Sequence, residues 1–159
     1  MNAQQRDIRG VLISVTGGRL LLPNASVAEV ITYSDPEVVA NAPEWLLGRV
    51  RWRGWRLPLL SFSRLAGWSG EDGQMGAKVA VLKALGNNPK LPFFAVLSQG
   101  FPRLVTVSNQ GLTQSHDIKD LPLGVHARVT LNDDPAVVPD LLSVELLIQK
   151  ALDQAQAAA

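Results

Sequence analysis

Four arginines fall within eight residues, Arg49, Arg51, Arg53 and Arg56, interleaved with Trp52 and Trp55. Successive side chains of a strand point to opposite faces, so Arg49, Arg51 and Arg53 share one side while Val50 and Trp52 take the other. One face can then serve a core, and the opposite face carries guanidinium forks that pair with carboxylates or phosphates. Three uses fit that pattern. The first is a solubilising edge that blocks strand-to-strand aggregation. The second is a basic groove with stacking aromatics for single-stranded nucleic acid. The third is a protein contact, because Arg and Trp are the types most enriched at interface hot spots. A near-neutral balance of 15 basic and 14 acidic groups, with a single tyrosine, favours protein over nucleic acid.

Catalytic patterns are lacking. His116 and His126 are ten residues apart with no ligand partner one helical turn away, whereas a metal site needs several converging groups. They read as a loop histidine and a strand histidine. Ser115-His116-Asp117 has the letters of a triad, but neighbours in sequence cannot align nucleophile, base and orienting acid. No nucleophile elbow, phosphate loop or dinucleotide fingerprint occurs. The paired carboxylates Glu71-Asp72 and Asp133-Asp134 read as solvated turns. Cysteine is absent, which removes disulfides, thiolate metal sites and cysteine nucleophiles and fits a reducing cytoplasm. No enzyme activity, cofactor or metal is expected.

The surrounding chain reads as mainly β. Its 159 residues are 47% hydrophobic and 18% charged, which excludes a disordered chain and suits one domain. No apolar run approaches the roughly 20 residues that span a bilayer, and Val11–Val15 is too short for a signal segment. Residues 1–68 carry eight basic and five acidic groups, and residues 69–159 seven and nine. Thirteen glycines and ten prolines cut the chain into short apolar segments, the look of barrels and sandwiches. Strands are predicted at Ile8–Val15, Leu20–Leu22, Val27–Tyr33, Arg49–Trp52, Trp55–Phe62, Lys78–Leu85, Phe93–Ser98, Leu104–Ser108, Val125–Leu131 and Ala136–Pro139. One helical turn is predicted at Glu44–Leu47 after Pro43, and a short helix at Ser63–Ala66 stopped by Gly67. Ser69–Gly76 reads as an internal linker and Gly111–Leu123 as irregular. Leu141, Val144, Ile148 and Leu152 recur at helical spacing behind an Asp140 cap, with Ala155–Ala159 expected to fray. The strands fall into two groups of about five, divided near residue 70.

The run Asn41 to Leu60 resembles the signature of CheW-like domains, in which an N-x-P segment leads to a glycine, an L-R-G turn and an apolar-Pro-apolar-apolar strand. Asn41, Pro43, Gly48, Arg53, Gly54 and Pro58 are in register with it, and a weaker similarity extends over about residues 8–150. The chain also departs from the pattern. Arg49 stands at a usually apolar position, Arg51 where asparagine is common, Trp52 in place of leucine and Ser61 in place of a frequent aspartate. These departures liken it to the accessory CheW-like proteins of pilus-linked chemosensory systems, such as ChpC.

The resemblance implies two five-stranded SH3-like β-barrels around a shared apolar interface, closed by a C-terminal α-helix. It places one CheW-like domain at 7–152, with subdomains at about 7–68 and 77–140 and a closing helix at about 140–154. It implies a cytoplasmic, non-enzymatic adaptor in two-component signalling, for chemotaxis or for twitching motility driven by a type IV pilus. Such an adaptor couples the cytoplasmic tip of a methyl-accepting chemoreceptor to a CheA-type histidine kinase, without nucleic acid and without membrane insertion. One barrel would pair with the kinase's regulatory domain, and a groove between barrels would hold the receptor's helical hairpin. The expected contact residues are Arg53, the signature arginine, with Gly54, Arg51, Arg49, Val30, Trp52, Trp55 and Arg56. Val27 and Ile31 fit either contact or core. The alternative is a small barrel that binds nucleic acid through Arg49, Arg51, Arg56, Trp52 and Trp55.

Overall fold

A computed structural model describes residues 7–115 and 119–158. Among them lie eleven strands and two α-helices. The first segment holds β1 (Ile8–Val15), β2 (Gly18–Pro23), a 3-10 turn at Asn24–Ser26 and β3 (Val27–Thr32). The arginine run forms β4 (Leu46–Trp52) and β5 (Trp55–Leu60), followed by α1 (Phe62–Leu65). Then come β6 (Lys78–Lys83), β7 (Phe93–Ser98), β8 (Arg103–Val107), β9 (Leu112–Gln114), β10 (Val125–Leu131), β11 (Asp134–Pro139) and α2 (Leu141–Ala157). His116 and the rest of the Ser115-His116-Asp117 letters beyond Ser115 lie outside the described residues. His126 is an exposed strand residue on β10.

The strands make two sheets, one ordered β3-β6-β7-β5-β4 and the other β8-β1-β2-β11-β10-β9. Mainly β architecture with a C-terminal helix is therefore present, but the sheets do not follow the halves of the chain. β6 and β7 join β3–β5, while β1 and β2 join β8–β11. β7 enters by parallel pairing of Ala95 with Leu59, and β8 by antiparallel pairing of Leu104 with Val11. Turn chemistry marks only partners adjacent in sequence, so the boundary near residue 70 misplaced these long-range pairs. The second sheet also has six strands rather than five, because β9 occupies part of the segment expected to be irregular. Its Leu112 pairs with Leu131, and three residues are too few to show a period.

Two further expectations fail locally. No helix forms at residues 44–47; Leu46 instead begins β4, buried and paired with Leu60. The alanine tail stays helical through Ala157, because Ala151 and Ala155 continue the buried line of Val144 and Ile148. Asp140 caps α2 as expected, its Oδ1 accepting from the Ser143 amide at 3.0 Å.

Both faces of several strands are buried, in different cores. On β6, Val79 and Val81 point inside the five-stranded sheet with Val50, Leu57, Leu59 and Leu97. Their neighbours Ala80 and Leu82 face the layer between sheets, with Ile13, Leu20, Phe62, Phe94, Val144 and Ile148. On β1 the split repeats: Leu12 turns toward Leu21, Val129, Leu131 and Ala136, while Val11 and Ile13 join the central layer. Each buried valine, leucine, isoleucine or phenylalanine among them contributes roughly 1.5–3 kcal/mol by leaving water.

Glu71 corrects the reading of Glu71-Asp72 as a solvated turn. Only 2% exposed, it accepts from the Thr16 amide and Ser61 Oγ, both at 2.7 Å, and from Gln99 Nε2 at 3.2 Å. It thereby ties the β1–β2 turn, the start of α1 and the segment after β7 to one point. Ser61 Oγ also caps α1 by accepting from the Arg64 amide. An aspartate at this position would set a second carboxylate against Glu71, so a hydroxyl suits the site better. Asp72 does stay exposed, paired with Arg64 at 2.6 Å.

Candidate functional site

The alternation read from the arginine run is realised. Val50 and Trp52 are buried, Arg51 is exposed and Arg49 half-buried. The β4–β5 register sets Arg49 opposite Pro58, Arg51 opposite Arg56 and Trp52 opposite Trp55. Arg53 (φ 47°) and Gly54 (φ 81°) close the hairpin with two successive positive φ angles. That is the turn whose twist matches antiparallel strands. No atom lies near where a Gly54 side chain would begin, so the requirement there is purely conformational.

The cations of the hairpin divide into two pairs. Arg53 Nη2 donates to Glu29 Oε1 at 2.8 Å, and its guanidinium sits 4.9 Å from the centre of the Trp52 ring. The same Glu29 oxygen accepts from Trp52 Nε1 at 3.1 Å. Glu29 belongs to β3, at the opposite edge of the sheet from β4. The sheet therefore curls until its two edge strands meet through one carboxylate. Arg56 is ion-paired with Glu37. Among the described residues Arg49 and Arg51 make no such pair.

Glu37 also covers the outer edge of β4. Its amide donates to the Arg49 carbonyl at 2.9 Å and its carbonyl accepts from the Arg49 amide at 2.8 Å. Gly48 (φ 147°) permits this approach, since an added Cβ would lie 2.9 Å from the Glu37 carbonyl carbon and nearer still to its oxygen. Asn41 adopts φ 65°, a conformation asparagine tolerates better than most residues. Three signature positions, Asn41, Gly48 and Gly54, thus serve backbone geometry.

Not every expected contact residue is available to a partner. The Trp52 ring is 8% exposed and packs edge-on to Phe93 at 4.8 Å, so it supports Arg53 from beneath. Trp55 is 40% exposed at the hairpin tip. On β3, Ile31 packs in the core of its own sheet and Val27 in the central layer, while Val30 is half-buried and belongs to neither. Sequence reasoning missed Glu29 and Glu37. Glu29 did leave a signal, a lone acid among apolar strand positions, but its partner Arg53 is 24 residues away. Glu37 stood in a loop and left none.

The Arg53–Glu29 pair is open to water, with side chains 69% and 37% exposed. Pairs of that kind contribute only about 0–1 kcal/mol, so Arg53 is fixed in direction without being needed for folding. An apolar groove of about 170 Å3 lies elsewhere, between Ile8, Leu22, Pro23, Val107 and Val138. Among the described residues no cluster of His, Asp or Glu is placed to hold a metal ion, and no helix is long and apolar enough to cross a membrane.

Two SH3-like sheets sharing a central layer, with a signature Arg-Gly hairpin fixed at one edge, define the class. The profile of the CheW-like domain family matches residues 9–151, and the chain belongs to that family. The fold is similar to the crystal structure of the scaffolding protein TtCheW from Thermoanaerobacter tengcongensis. The TM-score is 0.71 at 12% identity, over 89% of this chain and 89% of that one. No curated protein matches the sequence.

Proposed function

We propose that the protein is a non-enzymatic chemosensory adaptor of the cytoplasm that holds a CheA-type histidine kinase to the tip of a methyl-accepting chemoreceptor. Membership of the CheW-like family supports this reading, and the observation that carries it is the hairpin itself. Arg53 is presented by a type of turn that only few residues tolerate, oriented by Glu29 and Trp52, and left mostly in water. A side chain so positioned, at so little gain to folding, is placed for recognition. The hairpin set of Arg49, Arg51, Arg53, Trp55 and Arg56 forms the contact face for a protein partner. The apolar groove beside Ile8 and Val107 lies within the six-stranded sheet rather than between the two sheets, and at about 170 Å3 it has room for an apolar anchor side chain of a partner helix. The departures at Arg49, Arg51 and Trp52 liken the chain to pilus-linked accessory adaptors, with twitching motility as the output.

Titration of the full chain against a kinase regulatory domain and, separately, a receptor-tip hairpin tests this. Saturable binding to either, weakened by a few kcal/mol in Arg53→Ala while the melting curve is unchanged, is the expected result. Binding to an oligonucleotide alone, collapsing with salt, would overturn it.

A further inference from the structure

We propose that the unpaired half of the hairpin, Arg49 and Arg51, docks an acidic helix of the partner protein that presents two carboxylates one turn apart. This rests on the protein-contact reading above and adds the chemistry of the surface recognised.

Folding does not account for these two cations. Arg53 and Arg56 each have their own carboxylate, Glu29 and Glu37. Arg51 is exposed and stands directly opposite Arg56, and like charges facing each other across strands destabilise a sheet. Glu37 answers Arg56 alone. Arg51 thus costs stability and buries little. Arg49, half-buried opposite Pro58 in a hollow shared with Leu152, Asp153 and Gln156 of α2, has no ion pair there among the described residues; a charge supplied from outside explains both.

The geometry selects the shape of that charge. Strand addition at Arg49 is blocked, because Glu37 already takes both the amide and the carbonyl of that residue. The partner must therefore be read by side chains laid across the strand. Residues two apart on a strand are separated by about 6.7 Å, close to the roughly 6 Å between residues four apart on a helix. Two glutamates at that helical spacing can each meet one guanidinium. Trp55 and Arg51 line one shallow depression of about 360 Å3 at the hairpin tip, where an apolar residue of the same helix can anchor. Nucleic acid fits less well, since Glu29 and Glu37 stand among the arginines and would repel a continuous phosphate backbone.

The test is a nuclear magnetic resonance titration of the full chain with a synthetic helical peptide carrying Glu at i and i+4 and a leucine one turn on. The same peptide with Gln at both positions and a single-stranded oligonucleotide are run beside it. Saturable shifts of the Arg49 and Arg51 side-chain N–H signals with the Glu peptide alone are expected. They should weaken about tenfold in Arg49→Gln/Arg51→Gln and more steeply with salt in the wild type than in that variant. Arg51→Gln alone, at an exposed position, guards against a folding artefact. No saturation, equal response to the Gln peptide, or shifts with the oligonucleotide only would each overturn the proposal. A kinase regulatory domain and a receptor tip form the last arms. If the Glu peptide binds at the arginines and neither protein does, the adaptor reading fails and the acidic-helix site stands. If a protein binds wild type and double variant equally, the reverse holds.

Discussion

Replacing Glu71 by alanine removes one carboxylate that three separate parts of the chain use as an acceptor. Ser61 Oγ is fully buried, so its lost bond leaves a donor with no water to turn to, at about 1–3 kcal/mol. The Thr16 amide is nearer solvent and loses a charge-assisted bond worth up to a similar amount. Gln99 is compensated in part, because its Nε2 also reaches the Asp72 carbonyl at 3.3 Å. Together the loss is about 3–5 kcal/mol, a large share of the roughly 5–15 kcal/mol that holds a domain together. Glu71→Gln should behave differently. Its carbonyl oxygen can keep the Thr16 amide and its NH2 can donate to Ser61 Oγ, but that oxygen already accepts from the Arg64 amide and its own hydrogen loses its acceptor, so about 1–3 kcal/mol is expected, less than for alanine. Urea unfolding followed by tryptophan fluorescence gives both values, and at this chain size the alanine variant should melt roughly 6–20 °C lower. An alanine variant within about 1 kcal/mol of wild type, or a glutamine variant equally damaged, would refute the role of Glu71 as the common acceptor.

Other predictions concern the backbone and the single tyrosine. Gly48→Ala meets both a positive φ and the Glu37 carbonyl, so its loss of stability should exceed that of Gly54→Val, where strain alone costs about 1–2 kcal/mol. The reverse order on chemical denaturation would show that Glu37 does not hold the edge of β4. Gly54→Asn should be milder than Gly54→Val in the same assay, because asparagine visits the left-handed region more readily. Burial of the Tyr33 ring, then the nearby Asp35 charge, raises the Tyr33 pKa above its ordinary value. The folded chain then holds this proton to higher pH than the unfolded chain, so the stability it contributes is present below the usual tyrosine range and is lost as pH rises through the folded pKa. Ultraviolet titration of the phenolate should show a late transition that moves part of the way back in Asp35→Asn; an unmoved transition would remove Asp35 as a cause.

The sequence made the site more legible than the fold around it. Alternating Arg and apolar residues on either side of Arg53-Gly54 state a hairpin locally, and the structure puts its turn at the expected residues, with β4 beginning three residues earlier and β5 ending two residues sooner than expected. Asp140 and the spacing of Val144 and Ile148 likewise state α2. What the sequence leaves unmarked are partners far away in the chain. Val79-Ala80-Val81-Leu82 is apolar throughout because alternate residues feed two cores, a fact invisible until β6 lies between β3 and β7. Glu71 and Glu29 look like ordinary surface acids until Thr16, Ser61, Trp52 and Arg53 are brought to them by pairing that spans the molecule.

The most direct test of the adaptor is whether the chain joins two partners at once. Sedimentation of the protein with a kinase regulatory domain and a receptor-tip hairpin, in pairs and together, reads this without any assay of signalling. A complex containing all three, requiring this chain and diminished by Arg53→Ala, is the predicted result. Partners that fail to sediment with the protein, or that displace each other from it, would contradict the account.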